Sequence, residues 1–132
     1  MDIVINQDST TPIYRQITEQ IANQILQNKL HAHEILPSIR AIALNLKISV
    51  ITSKRAYEEL ETMGLIYTLS GVGCFVSDIN HLHALSIRND LFKERMKKEL
   101  EYYKSQGMNN DDIIKLVQIT LNENQVNKKS DF

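Results

Sequence analysis

Isoleucine recurs every four residues at Ile13, Ile17, Ile21 and Ile25, with Tyr14 alongside. That spacing draws one apolar stripe on an amphipathic helix of about four turns, predicted to end near Asn28. Thr11-Pro12 marks its start. Thr11 offers a cap, and Pro12 suits the first helical position because its missing N–H would have no partner there. The residues before it, 1–9, read as a short extended lead-in. A connection over 29–37 leads to a second helix, capped by Ser38, which turns Ile39, Ile42, Ala43 and Leu46 inward and Arg40 outward. Lys47-Ile48-Ser49 makes a turn, and Ser49 caps a third helix from about Val50 to Met63 that stops at Gly64. At about 100° per residue, Ser53, Ala56, Leu60 and Met63 form the inner arc of that helix. Ile51, Lys54 and Glu58 lie opposite, with Val50 at their edge and Arg55 on a flank.

Two short runs then change period. Leu65 to Leu69 and Cys74 to Ser77 are strand-like, and Ser70-Gly71-Val72-Gly73 joins them as a tight hairpin whose glycines take positive φ. From Asn80 onward Leu85, Phe92, Met96, Leu100 and Tyr103 recur in three- and four-residue steps. They predict a long helix from roughly His81 to Gln106, closed by Gly107. Asn109 or Asn110 caps a last helix bearing Ile113, Leu116, Val117 and Leu121, with Asp111 and Asp112 at its positive end. Glu123 to Phe132 is expected to be a polar, frayed tail.

The order helix, helix, turn, helix, hairpin is a winged helix-turn-helix. The fold class expected is mainly α with a small β-hairpin (α+β): a winged helix-turn-helix domain over 1–79 followed by a two-helix C-terminal segment over 80–132. Such a helical hairpin has too little core to bury its apolar stripes alone. The stripe Leu85, Phe92, Met96, Leu100, Tyr103, Ile113, Leu116, Val117 and Leu121 is therefore expected to form a homodimer, which also suits reading of two half-sites.

Composition narrows the class. With 132 residues, 42% apolar and 23% charged, the chain is globular. It lacks an uninterrupted apolar run of membrane-spanning length and a secretory pattern at its start, so a cytoplasmic protein without a membrane partner is expected. Residues 1–80 hold six Lys/Arg and eight Asp/Glu, a net of 6 − 8 = −2. That balance counts against nucleic-acid binding and keeps open a winged-helix module for protein–protein contact. Clustering counts for it: Arg40, Lys47, Lys54 and Arg55 lie in an interval without an acid.

Several separated blocks then agree at once. Tyr14-Arg15-Gln16-Ile17, Leu36-Pro37-Ser38-Ile39-Arg40, Thr52, Arg55-Ala56-Tyr57, Leu60-Glu61, Gly64-Leu65-Ile66-Tyr67 and Gly71-Val72-Gly73-Cys74-Phe75-Val76 follow in order. Their spacing over about residues 10–78 resembles GntR-type transcription regulators, and the short two-helix C-terminal part resembles the YtrA subgroup. The resemblance implies a homodimeric repressor of a transporter-type operon. Its third helix would enter the major groove of a palindromic double-stranded operator, with the wing tip near the minor groove. The DNA contacts it implies fall on Ser38 and Arg40, on Ser49, Val50, Ile51, Thr52, Lys54 and Arg55, and on Ser70 and Gly71 in the wing. Departures from the family pattern are specific. Glycines are usual near Asn28 and His33 and at Lys47, polar residues at Val50 and Ile51, and a basic residue where Ser70 and Val72 stand. Val50 and Ile51 are accordingly expected to meet thymine methyl groups. The helices, rather than the uncharged wing, are expected to supply affinity.

Other chemistry has weaker signals. His31-Ala32-His33 and His81-Leu82-His83 have a spacing that could share a metal, but both lie at element junctions without a cysteine cluster, and solvated histidines explain them better. Cys74 is the only cysteine, so no internal disulfide can form. A small residue filling a strand position is its simplest role. No catalytic order of residues or phosphate-cradling loop is evident, so neither an enzyme nor a cofactor is expected. The charges interleaved along the long helix read as a solvated face.

Overall fold

A computed structural model of the protein describes residues 1–130, with side chains through Asn124. The elements are α1 (Ile13–Leu26), α2 (Ile39–Leu46), α3 (Val50–Thr62), β1 (Ile66–Leu69), β2 (Gly73–Val76), α4 (His81–Ser105) and α5 (Asn110–Ser130). They fall into two compact units, Met1–Asp90 and the residues from Leu91 onward, so α4 begins in the first and continues in the second.

The first unit is built on α3, against which both α1 and α2 pack. Ile17 and Ile21 of α1 and Leu60 of α3 are fully buried, with Ile25, Ile42, Ala43, Leu65, Ile66 and Val76 completing the core. Each large aliphatic side chain so buried contributes roughly 1.5–3 kcal/mol. Ala22, Ser53 and Ala56 are also fully buried, small side chains that suit a close helix approach. Tyr57 joins this core in place of Met63, which is only half-buried, and its hydroxyl donates to the Pro37 carbonyl at 2.5 Å.

Thr11 does not cap α1. Pro12 is the N-cap, and its carbonyl accepts from the N–H groups of Arg15 and Gln16. The Thr11 carbonyl instead accepts from Gln16 Nε2 at 2.9 Å. Gln16 is the first rung of a ladder. Gln16 and Gln20 each both accept from and donate to a main-chain residue of the lead-in, Asn6 and Val4 respectively, and Gln24 donates to the Asp2 carbonyl at 2.8 Å. Four helical residues rise about 6 Å and two extended residues about 6.6 Å, so amides at every fourth helix position match every second residue of the segment.

Four helices end alike. The N–H groups of Lys29, Ile48, Leu65 and Met108 reach back to the carbonyls of Gln24, Ala43, Leu60 and Tyr103 at 2.8–3.1 Å. This is the Schellman arrangement, which needs a left-handed residue just past the helix. Gly64 and Gly107 supply it for α3 and α4, whereas Asn28 (φ 59°) and Lys47 (φ 57°) do so for α1 and α2. His33 (φ 66°) is the remaining non-glycine residue with positive φ among the described residues. The GntR-type resemblance leads to an expectation of glycines near Asn28 and His33 and in the turn of Lys47.

The hairpin pairs Ile66 with Val76 and Leu69 with Gly73, leaving Ser70, Gly71 and Val72 as its tip. Gly71, at φ 76°, makes the turn closed by Val72 N–H on the Leu69 carbonyl. The expected connection over 29–37 is more ordered than a loop. The N–H groups of His33 and Leu36 donate to the Val76 and Cys74 carbonyls, and Val76 donates to Glu34. Residues 33–36 thus line the free edge of β2.

In the second unit, Asn109 caps α5 through Asp112 N–H, and Asp112 returns a bond to Asn109 N–H. This is a reciprocal capping box. The expected frayed tail from Glu123 meets a helix that continues through Ser130, and residues 131–132 lie outside the described residues. Ile113 is buried, whereas Phe92, Met96, Leu116, Val117 and Leu121 are exposed. Leu100 and Tyr103 are half-buried. Met96, Leu100, Ile113, Ile114 and Val117 line an open groove of about 430 Å³ between the two helices. Leu85 lies in the first unit, half-buried, and neighbouring Ile87 is the buried residue of α4. No described helix is long and apolar enough to cross a membrane.

Candidate nucleic-acid interface

The helix-turn-helix is set by two caps of one kind. Ser38 Oγ accepts from Ala41 N–H at 3.0 Å, and Ser49 Oγ accepts from Thr52 N–H at 3.0 Å while bonding Thr52 Oγ1 at 2.7 Å. Both serine oxygens and the Thr52 hydroxyl are therefore engaged in shaping the helix starts. What remains free for a ligand is the main chain: the N–H groups of Ile39, Arg40, Val50 and Ile51 have no intrahelical partner. Neither first turn carries an acid, so the positive ends of both helix dipoles are uncompensated. Two such ends are suited to anionic oxygens.

Around them stand exposed Arg40, Val50, Ile51, Lys54 and Arg55. Ile51 is 80% exposed and Val50 47%, two adjacent β-branched side chains open to solvent at the start of α3. Leu44 on α2, 79% exposed, is a further exposed aliphatic side chain of the helix-turn-helix. Its helical phase alone, opposite Ile42, would have revealed it.

The cations differ in their surroundings. Lys54 Nζ lies 3.9 Å from Glu58 Oε1, a long and solvated pair. The Arg55 guanidinium instead lies over the Tyr14 ring, 3.8 Å from its centroid. Its partner belongs to another helix, so spacing along α3 could not show it. In the wing, Ser70 and Gly71 are exposed, and no Cβ would meet a neighbour at Gly71. The wing is braced from its side. Tyr67 stacks on Phe75 with centroids 5.4 Å apart, and its hydroxyl lies 2.9 Å from His33 Nδ1. His33 and His31 thus face different partners, the latter bonding Asn28.

Three helices with a turn of this geometry, followed by a β-hairpin, define a winged helix-turn-helix DNA-binding unit. Residues 13–76 match the family described as bacterial regulatory proteins, gntR family. The chain is 33% identical to the HTH-type transcriptional repressor YtrA of Bacillus subtilis over 96 residues, covering 73% of this chain and 74% of the relative. A GntR family transcriptional regulator from Listeria monocytogenes shares its fold with a TM-score of 0.65 and 31% identity, over 84% of this chain and 96% of that one. AraR(DBD) in complex with operator ORX1 superposes with a TM-score of 0.52 and 25% identity, over 58% of this chain and 96% of that one. The protein belongs to the gntR family of bacterial regulatory proteins, a family of DNA-binding transcriptional regulators with repressors among its members.

Proposed function

We propose that the protein is a homodimeric repressor that binds a palindromic operator in the cytoplasm and governs a transporter-type operon. The observation that carries the DNA-binding face is the pairing of two acid-free helix starts with Arg40, Lys54 and Arg55 around them. The start of α3 enters the major groove. There Val50 and Ile51 meet thymine methyl groups, while Arg40 and Lys54 contact phosphates or base edges. Ser38, Ser49 and Thr52 act by holding free main-chain N–H groups toward phosphates, and Ser70 and Gly71 let the wing approach the backbone closely. Two copies join through the apolar side chains of α4 and α5, with exposed Met96 and Val117 beside half-buried Leu100 and buried Ile113 in one groove. Likeness to the transcriptional repressor YtrA supports the repressor role.

The test is binding to a palindromic fragment, selected from the parent genome, at rising salt. Several released counterions predict a steep log–log slope, and Arg40→Ala is expected to weaken operator binding by about 1–3 kcal/mol. A flat salt response without preference for operator over random duplex would defeat the proposal. It would favour the protein-contact module that the net charge of residues 1–80 allows.

A further inference from the structure

We propose that Tyr14 is a positioning residue for DNA binding, holding the Arg55 guanidinium in place for a backbone phosphate. The inference rests on the DNA-binding reading above, and adds a residue of α1 to the machinery of α3. Arg55 sits on the flank of α3, away from the arc of Ile51 and Lys54, where a side chain meets phosphate rather than base edges. It is exposed, and a free arginine there would have to be ordered on binding, losing most of its rotamer freedom. Stacking removes that freedom beforehand. A guanidinium lying over a ring keeps its N–H donors at the edge of its own plane, where they can still reach a planar pair of oxygens. The ring also leaves the charge in place. Among the described residues no acid lies within ion-pair distance of Arg55, whereas Lys54 is partly balanced by Glu58.

The main chain that carries the ring is itself held. Thr18 Oγ1 donates to the Tyr14 carbonyl at 2.9 Å and lies 3.5 Å from the carbonyl of Ala56, the residue after Arg55. Thr18 thus ties the two main chains together at the level of the stack. Gln16, bonded to Asn6 and Thr11, fixes the first turn of α1 from the other side.

Phosphate contacts do not depend on sequence, so the probe is a mixed-sequence duplex long enough to hold a dimer, followed by fluorescence anisotropy across a salt series. Arg55→Ala should weaken binding and lower the log–log slope by about 0.9 for each phosphate that Arg55 neutralises. Tyr14→Leu should weaken binding about two- to five-fold per site, the strength of an exposed cation–π contact. Tyr14→Phe should bind like the parent, because the ring is kept. In the Arg55→Ala background Tyr14→Leu should have no further effect. Arg55→Lys, which keeps the charge but cannot stack as a plane, supplies a second route that leaves α1 intact. It should weaken binding by a similar factor, and Tyr14→Leu should add nothing to it. Absence of parent binding would sink the DNA-binding reading itself, and an unaffected Arg55→Ala variant would remove Arg55 from the interface. If Arg55→Ala weakens binding while Tyr14→Leu does not, or if the two effects multiply, the positioning role of Tyr14 is overturned.

Discussion

Replacing Lys47 by glycine is expected to stabilise the protein, although Lys47 is a cation in the turn of the helix-turn-helix. Lys47 closes α2 with φ 57° and ψ 47°, and its side chain is exposed. An L-residue held in this left-handed region costs roughly 1–2 kcal/mol. Glycine removes that cost but adds freedom to the unfolded chain, worth about 0.4–1 kcal/mol in the other direction. The net gain is about 0.8 kcal/mol at the centre of the two ranges. The same substitution at Asn28 and His33 separates backbone from side chain. Asparagine tolerates the left-handed region, so Asn28→Gly should gain only a few tenths of a kcal/mol. His33→Gly relieves its backbone but loses the bond to Tyr67 and the edge-on ring contact with it, about 1 kcal/mol, and should be neutral or slightly destabilising. Urea unfolding measures all three, and Lys47→Gly should raise the midpoint by about 0.3–0.7 M at unchanged slope. A destabilised Lys47→Gly, or a gain at His33 as large as at Lys47, would refute the assignment of strain to these turns.

Ser53 Oγ is buried and lacks a hydrogen-bond partner, so Ser53→Ala should raise stability by about 1 kcal/mol; a loss in urea unfolding would show that the hydroxyl finds a partner. Tyr57→Phe deletes the bond to the Pro37 carbonyl ahead of α2 and should cost about 1 kcal/mol. Burial, and secondarily Cys74, raises the Tyr57 hydroxyl above its ordinary range. The folded state therefore keeps its proton after the unfolded chain has released its own, and stability falls as pH rises past about 10. Tyr57→Phe should lack that part of the alkaline slope, and identical slopes would contradict it. Val117→Glu places a charge in the groove of α4 and α5, and sedimentation should show the dimer shifted to monomer; an undisturbed dimer would place the interface elsewhere. Uracil in place of thymine should weaken operator binding by removing the methyl groups assigned to Val50 and Ile51, and equal affinity would remove that contact.

The helices were legible because periodicity records burial. Ile17, Ile21 and Ile25 face the core as their spacing requires, and Ser38, Ser49, Gly64 and Gly107 stop and start helices where their chemistry predicts. Main-chain pairing leaves little such record. Residues 33–36 bond to β2 through backbone groups alone, so their side chains, with Ile35 exposed and Leu36 buried, do not distinguish an edge from a loop. Nothing in the sequence sets Gln16, Gln20 and Gln24 apart, because an amide that satisfies a neighbouring main chain looks in sequence like one that satisfies water. Ile87 was missed for a different reason. The stripe through Leu85 and Phe92 follows the helix period, but which side of α4 is covered depends on what lies against it, and periodicity does not specify that.

The left-handed positions join the fold to its candidate interface. A Schellman closure fixes where the chain leaves a helix, and at Lys47 it sets the direction in which α3 begins only three residues later. The closure survives without glycine because its bonds are made by the main chain: Ile48 to Ala43 and Lys47 to Leu44. Glycine lowers the cost of this geometry, but the bonds themselves define it. A lysine there gives up some stability and places a cation between the ends of α2 and α3, in the acid-free interval that also holds Arg40, Lys54 and Arg55. On the proposed DNA-binding reading, in a first unit whose overall balance is acidic, that exchange would favour binding of an anion over stability of the turn. Lys47→Gly should therefore be more stable and yet bind duplex DNA more weakly, with a shallower salt slope. A variant that gains stability and keeps its full salt slope would leave the lysine without a role in binding.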